Sequence, residues 1–423
     1  MEAREVPPVQ VVEGLGVAVL VARHEIPVAP EIHIIRTQRH SDPRFLSTRS
    51  GALAAIETIA VNVPFYRVSF AVWALVPSPW RSIPSPVRME TASFHYDLPE
   101  GAIAQRPVEP RDRARLLVDR GPSTDPLHRH VTDLPTLVGP GDVVVVNATR
   151  VLPARLHLRK PTGGAVEVLL LEEQQPGRWE ALVRPGRKVA PGTELVAGDD
   201  LSLVIGDRLD DGRRSVEVRS TDLLAALDRH GEVPLPPYIH EALDDPERYQ
   251  TVYADQPGSV AAPTAGLHLT PAVLDGIRAA GAAIEQLELI VGLGTFRPIT
   301  TETVEDHRMH RERYHVPDEV MAACDAAERV VAVGTTTVRA LEAAARTGEL
   351  SGSTDLFLTP GAEFHVVDAL VTNFHLPRSS LLVLVEAFIG PRWRELYATA
   401  LAEGYRFLSF GDAMLLQRGL LER

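Results

Sequence analysis

LTPAVLDGIRAAGAAIEQLELIVGLGTFRP, residues 269–298, carries the signals of a helix, a strand and a glycine loop in close succession. Thr270 followed by Pro271 is an N-cap with proline at the first helical position, and Gly281 stands where a glycine C-cap belongs. The spacing therefore predicts a helix over 272–280. The run 284–291 is apolar, β-capable and short for a helix, so it reads as a strand. Gly292-Leu293-Gly294 follows it, and APTAGLHLTP (262–271) is a second turn-rich segment upstream. Loop, helix, strand and glycine loop make half of a βαβ layer, with both loops available to hold a ligand at strand ends.

The flanks continue the pattern. Residues 143–146 are four consecutive valines, typical of a strand buried on both faces. Asn147-Ala148-Thr149-Arg150 follows, as a loop cap or as a ligand-contact position. Downstream, 330–334 reads as a strand and Thr335-Thr336-Thr337 as the cap of a helix over 338–345, closed by Gly348. Strands are expected at 355–358, 366–371 and 406–410, and helices at 318–329, 381–388 (capped by Ser379-Ser380) and 393–403. Strands alternating with helices predict an α/β domain, a mostly parallel sheet with flanking helices. Residues 156–220 differ: short strands at 165–171, 179–183, 201–205 and 215–219 are separated by Pro/Gly turns. They predict an inserted small antiparallel domain, a β-barrel or a sandwich. The α/β catalytic domain is then 89–155 with 221–423.

Residues 1–88 hold 10 of the 34 prolines, nine arginines against seven acids, and no sustained period. They are expected to form a poorly ordered extension, with an upstream start codon as one explanation. Their longest uncharged run, 68–80, is short of the roughly 20 residues a membrane span needs. The net charge of −13 argues against a generally basic nucleic-acid binder, although a sum over the chain conceals local patches. Arginine outnumbers lysine 41 to two, the lysines being Lys160 and Lys188 in turns of the inserted domain. A single cysteine, Cys324, excludes an internal disulfide and a cysteine-based zinc site, and a reducing cytoplasmic setting fits.

Gly292-Leu293-Gly294 lacks the third glycine of a dinucleotide fingerprint, since Arg297 stands there, so a Rossmann site is disfavoured. His307-x-x-His310-x-x-x-x-His315 lies in a charged segment without a metal-helix spacing, so no metal is expected. His268 and His375 lie in turn-rich segments of the kind that carry function. No nucleophile elbow is present.

The segments YQTVYA (249–254), AAPTAGLH (261–268), VGLGTFRP (291–298), DHRMH (306–310), VGTTTVRALE (333–342), TNFHLPRSSLL (372–382) and YRFLSFGDAMLL (405–416) occur in this order. Together they resemble the S-adenosylmethionine:tRNA ribosyltransferase-isomerases of queuosine biosynthesis, over 94–423; nothing in 1–88 does. The resemblance implies transfer and isomerisation of the ribosyl part of S-adenosylmethionine onto 7-aminomethyl-7-deazaguanine at the tRNA wobble position. Epoxyqueuosine forms, and adenine and methionine leave. It implies an α/β domain with an inserted β-barrel, a tRNA with a GUN anticodon as partner, and S-adenosylmethionine as a consumed substrate with no separate cofactor. No membrane association and a monomer are expected.

That chemistry needs a base for the C5′ proton, which the sulfonium acidifies, and an acid for departing adenine. His268 and His310 are the leading candidates, with Glu312 and His375 next. Thr264, Gly292, Gly294, Thr295, Arg297 and Asp306 would shape the nucleoside and methionine pocket, and Arg339 and Arg378 would meet phosphate or carboxylate. Ala148 departs from the acidic residue common in the family's Asn-x-Thr-Arg segment. It leaves open a paralogue acting on another amine; a non-catalytic RNA-binding module is the remaining alternative.

Overall fold

Val143 and Val145 pack into one hydrophobic cluster, Val144 and Val146 into another, and all four are at most 5% exposed. The strand Asp142–Asn147 thus has a core on each face, as its unbroken valines require. The computed structural model describes residues 88–122, 124–209, 212–292 and 298–418, and the backbone of 56–63 and 66–73. Met1–Pro84 forms a unit of its own, in which Ile56–Val63 pairs antiparallel with Tyr66–Trp73. The rest of the expected extension, up to residue 87, lies outside the described residues.

In the second unit a nine-stranded sheet has the order Ser351–Thr354, Glu312–His315, Ala283–Leu289, Asp142–Asn147, Arg329–Val333, Ala369–Asn373, Ala413–Gln417, Arg115–Val118, Leu127–His130. Its four central strands, from Ala283–Leu289 to Ala369–Asn373, run parallel. Ala413–Gln417 reverses direction, and antiparallel pairs form both edges. The sheet is mixed with a parallel centre. Helix Pro271–Ala279 forms as its sequence signals dictate: the Thr270 hydroxyl accepts from the Val273 N–H at 3.2 Å, and Gly281 takes φ +93°.

The insertion is a closed antiparallel barrel of six strands: Arg155–Arg159, Ala165–Gln175, Arg178–Arg184, Glu194–Ala197, Leu201–Arg208 and Arg213–Arg219. Pairing of Val196 with Arg159 closes the ring. Alternate residues such as Leu156, Leu158, Val166 and Val168 fill its interior. Gly231–Glu232 adds a short outer pairing to Arg155 and Leu156. Helix Leu223–His230, capped by the Asp222 side chain, leads out of the barrel.

Three local expectations are corrected. The helix after Gly334 spans Thr335–Thr347, so the three threonines form its first turn and Gly334 is the N-cap. Residues 355–358 are not a strand. The Leu356 N–H bonds the Thr354 hydroxyl and its carbonyl accepts from Arg339 Nε, so side chains take the ladder's place. Residues 406–410 are a loop, and the last strand is Ala413–Gln417. Leu408 takes φ +68°, and the Asp412 carboxylate gathers the backbone N–H groups of Arg406 and Arg115 at 2.8 and 2.9 Å. No helix among the described residues is long and apolar enough to cross a membrane.

Candidate active site

The carboxyl ends of the parallel strands open into a cleft of about 590 Å³, its solvent-open part included. The chain leaves Asp142–Asn147 for Ala283–Leu289 on one side and later reaches Arg329–Val333 on the other. That reversal is the switch point at which open α/β sheets bind ligands. Asn147 ties the three strand ends together. Its amide donates to the Leu289 carbonyl at 2.9 Å and to the Thr336 hydroxyl at 3.3 Å. Gly334, at φ +93°, turns the chain from strand into helix, and Thr335 and Thr336 face the cleft. A glycine N-cap supplies no capping side chain, so the first-turn N–H groups of this helix are available to an anion in the cleft.

Asn373, at the end of its strand, is the node of the polar network. Its Nδ2 donates to the Leu408 carbonyl at 3.3 Å and to His268 Nε2 at 3.0 Å; its Oδ1 accepts from the Thr264 hydroxyl at 2.8 Å. Because a carbonyl only accepts, the amide nitrogen must face Leu408. His268 Nε2 is therefore an acceptor and carries no proton. Thr264 lines the cleft; His268 sits behind Asn373, beside a small void shared with Arg111 and Arg248. Burial, assisted by Arg406, Arg111 and Arg248, holds the His268 pKa down at about 3.

His375 lines the cleft itself, its Nε2 2.9 Å from the Thr372 hydroxyl. Burial lowers its pKa to about 3, so it is a neutral imidazole. Its backbone is clamped on both sides. Its N–H donates to the Tyr397 hydroxyl at 2.9 Å, and its carbonyl accepts from the Tyr96 hydroxyl. Those rings sit in an edge-to-face aromatic group with Trp393, Phe374 and Phe407.

The other residues singled out in the sequence separate into distinct places. Glu312 and Arg339 form a buried ion pair. Glu312 Oε1 also accepts from the Gly292 N–H at 3.1 Å, so the pair holds the start of the glycine loop. Asp306 is exposed, paired with Arg88 at 3.0 Å and bonded by the Thr303 hydroxyl. His310 is half-buried near His307, whose pKa is lowered by burial and then by His310. The Arg378 side chain is exposed, while its backbone joins the carbonyl of Phe94 to the N–H of Ile299. Gly294, Thr295 and Arg297 lie outside the described residues. Ala148 is buried away from the cleft lining, and its carbonyl holds the Asp255 and Gln256 N–H groups. The Cys324 thiol is buried and pushed up to about 12, which suits packing.

Asn373, Thr335, Thr336 and Thr372 are residues of the cleft that the segments TNFHLP and TTT contain but do not single out. The network depends on an amide and hydroxyls, whereas only titratable side chains such as His375 stand out in a sequence. Among the described residues no group of three or more His, Cys, Asp or Glu is placed to hold a metal. The cleft offers a helix N-terminus for an anion, a neutral imidazole for proton transfer and hydroxyls for a sugar.

The comparisons with known proteins concern this same region. Residues 91–416 match the family described as queuosine biosynthesis protein. The S-adenosylmethionine:tRNA ribosyltransferase-isomerase of Rubrobacter xylanophilus is 53% identical over 332 residues, covering 78% of this chain and 98% of its own. That of Thermus thermophilus is 53% identical, covering 77% and 98%. A crystal structure of the S-adenosylmethionine tRNA ribosyltransferase from Thermotoga maritima is 39% identical and covers 76% of this chain and 99% of that one, with a TM-score of 0.44. The matched segment encloses every described residue of the cleft, and the chain belongs to the queuosine biosynthesis protein family.

Proposed function

We propose that this chain transfers and isomerises the ribosyl part of S-adenosylmethionine onto 7-aminomethyl-7-deazaguanine at the wobble position of tRNAs with GUN anticodons. The reading is carried by the family match over 91–416, with relatives of that activity at 53% identity along almost their whole length. The C5′–S and C1′–N bonds break with their electron pairs leaving on sulfur and nitrogen. The ring C1′–O4′ bond also breaks, and the amine bonds to C1′. A new C1′–C5′ bond closes the five-membered carbocycle, and O4′ bonds to C5′ as the epoxide oxygen. The C5′ proton goes to adenine and the amine proton to solvent, so epoxyqueuosine, adenine, methionine and one proton result. S-adenosylmethionine is consumed and no separate cofactor takes part.

Each group in the cleft has a place in this reaction. The methionine carboxylate suits the first turn of helix Thr335–Thr347, where N–H groups and the helix dipole favour negative charge. His375 takes the C5′ proton. A neutral imidazole is free to accept it, and a bound carboxylate nearby raises the basicity that burial has lowered. The hydroxyls of Thr264 and Thr372 are positioned for the sugar, with Asn373 and His268 orienting Thr264. The Glu312–Arg339 pair acts through the backbone at Gly292. The test is to incubate the protein with S-adenosylmethionine and tRNA carrying 7-aminomethyl-7-deazaguanine, then digest the tRNA and weigh its nucleosides. Epoxyqueuosine is expected; an unaltered deazaguanine nucleoside contradicts the reading.

A further inference from the structure

Both lysines of the chain lie at one end of the barrel. The strand Arg155–Arg159 ends there, Ala165–Gln175 begins and Arg178–Arg184 ends, since these three are antiparallel neighbours. The turn at Lys160 and the short turn Gly186–Lys188 touch, Lys160 Nζ donating to the Lys188 carbonyl. Arg159, Lys160, Arg184, Arg187 and Lys188 are thereby gathered. All but half-buried Lys160 are exposed. Among the described residues none of the five has a carboxylate partner within ion-pair distance, whereas Arg213, Arg219 and Arg229 on or beside the barrel each have one. Arg159, Arg184 and His157 also line a shallow groove, with Glu167 between the latter two in register. In a chain of net charge −13, five cations without an ion-pair partner, on two adjoining turns and the strand ends that lead into them, form a patch suited to a polyanion.

We propose that this barrel end is the contact surface for the phosphate backbone of the tRNA substrate. The inference rests on tRNA being that substrate, and it adds where the RNA is held outside the cleft. Asn147, at the switch point, and Arg159 are separated by 12 residues, which span at most about 40 Å. A structured tRNA bridges such a distance while its wobble base occupies the cleft. Phosphate contacts fix register and orientation without reading sequence, and turns bearing cations on flexible stems serve that purpose.

The experiment compares the full chain with the quadruple variant Arg159→Gln, Lys160→Gln, Arg187→Gln, Lys188→Gln, measuring tRNA binding against salt and steady-state turnover. Binding is expected to weaken at least tenfold. The slope of log K against log salt should lose about 3 if all four cations meet phosphates. The KM for tRNA should rise while kcat and the KM for S-adenosylmethionine stay unchanged. The charge-retaining variant Lys160→Arg, Lys188→Arg should keep wild-type binding, which separates charge from folding. Unchanged affinity and slope in the quadruple variant, with tRNA bound by the wild type, overturn the surface. A wild type that binds no tRNA overturns the proposed function itself.

Discussion

Asn373 makes hydrogen bonds to Thr264 and His268, 109 and 105 residues away in the chain. Asn373→Ala leaves a buried imidazole nitrogen and the Leu408 carbonyl with one partner fewer. The expected loss is about 1–3 kcal/mol of stability, read from denaturant unfolding, together with a raised KM for S-adenosylmethionine. A variant of wild-type stability and KM contradicts this. The buried histidines give a second expectation, of definite sign. His268 and His375 have folded pKa values near 3 against an ordinary 6.5. The unfolded chain takes up protons below pH 6.5 that the folded state refuses. Stability is therefore full above that pH and is lost as pH falls toward 3, by about 1.4 kcal/mol per unit for each histidine. Unfolding free energies at pH 7 and pH 5 should differ by about 2 kcal/mol less in His375→Gln than in wild type; equal differences contradict the neutral imidazole. The sequence shows both histidines but not their burial, because burial here is made by strand ends and aromatic rings distant in the chain.

At the scale of elements, a strand, a helix and a loop meet at one ion pair. Glu312 belongs to the edge-side strand Glu312–His315, Arg339 to the helix Thr335–Thr347, and Gly292 follows the strand Ala283–Leu289. Removing one partner strands a buried charge, so Glu312→Leu should cost about 3–5 kcal/mol, whereas Glu312→Leu with Arg339→Met should recover most of it. The double variant should still show a raised KM for S-adenosylmethionine, since the Gly292 N–H has lost its acceptor. A double variant with wild-type KM contradicts a positioning role. Elements with strong local signals were legible: Thr270-Pro271 and Gly281 bracket a helix, and four valines mark a strand with two buried faces. Residues 355–358 and 406–410 were not, because side chains stand in for ladder partners there. The Arg339 guanidinium, 17 residues upstream, bonds the Leu356 carbonyl, and the Asp412 carboxylate joins the N–H groups of Arg406 and Arg115.

Across the whole molecule, the alternation of strands with helices made the mostly parallel sheet visible, and short strands between Pro/Gly turns marked an inserted β domain, a barrel or a sandwich. Closure of the barrel through Val196 and Arg159 depends on a pairing between strands far apart in sequence and could not be read there. The same holds for the cleft, whose walls come from the ends of separate strands and loops. The proposed reaction takes place in this cleft, with His375 as the base. The most direct measurement is adenine release from S-adenosylmethionine by wild type and His375→Gln, with and without tRNA carrying 7-aminomethyl-7-deazaguanine, at saturating substrates. The expected result is release by the wild type only with the tRNA, and release at least about 100-fold slower by a folded His375→Gln. Release by the variant at the wild-type rate, or by the wild type without tRNA, would contradict it.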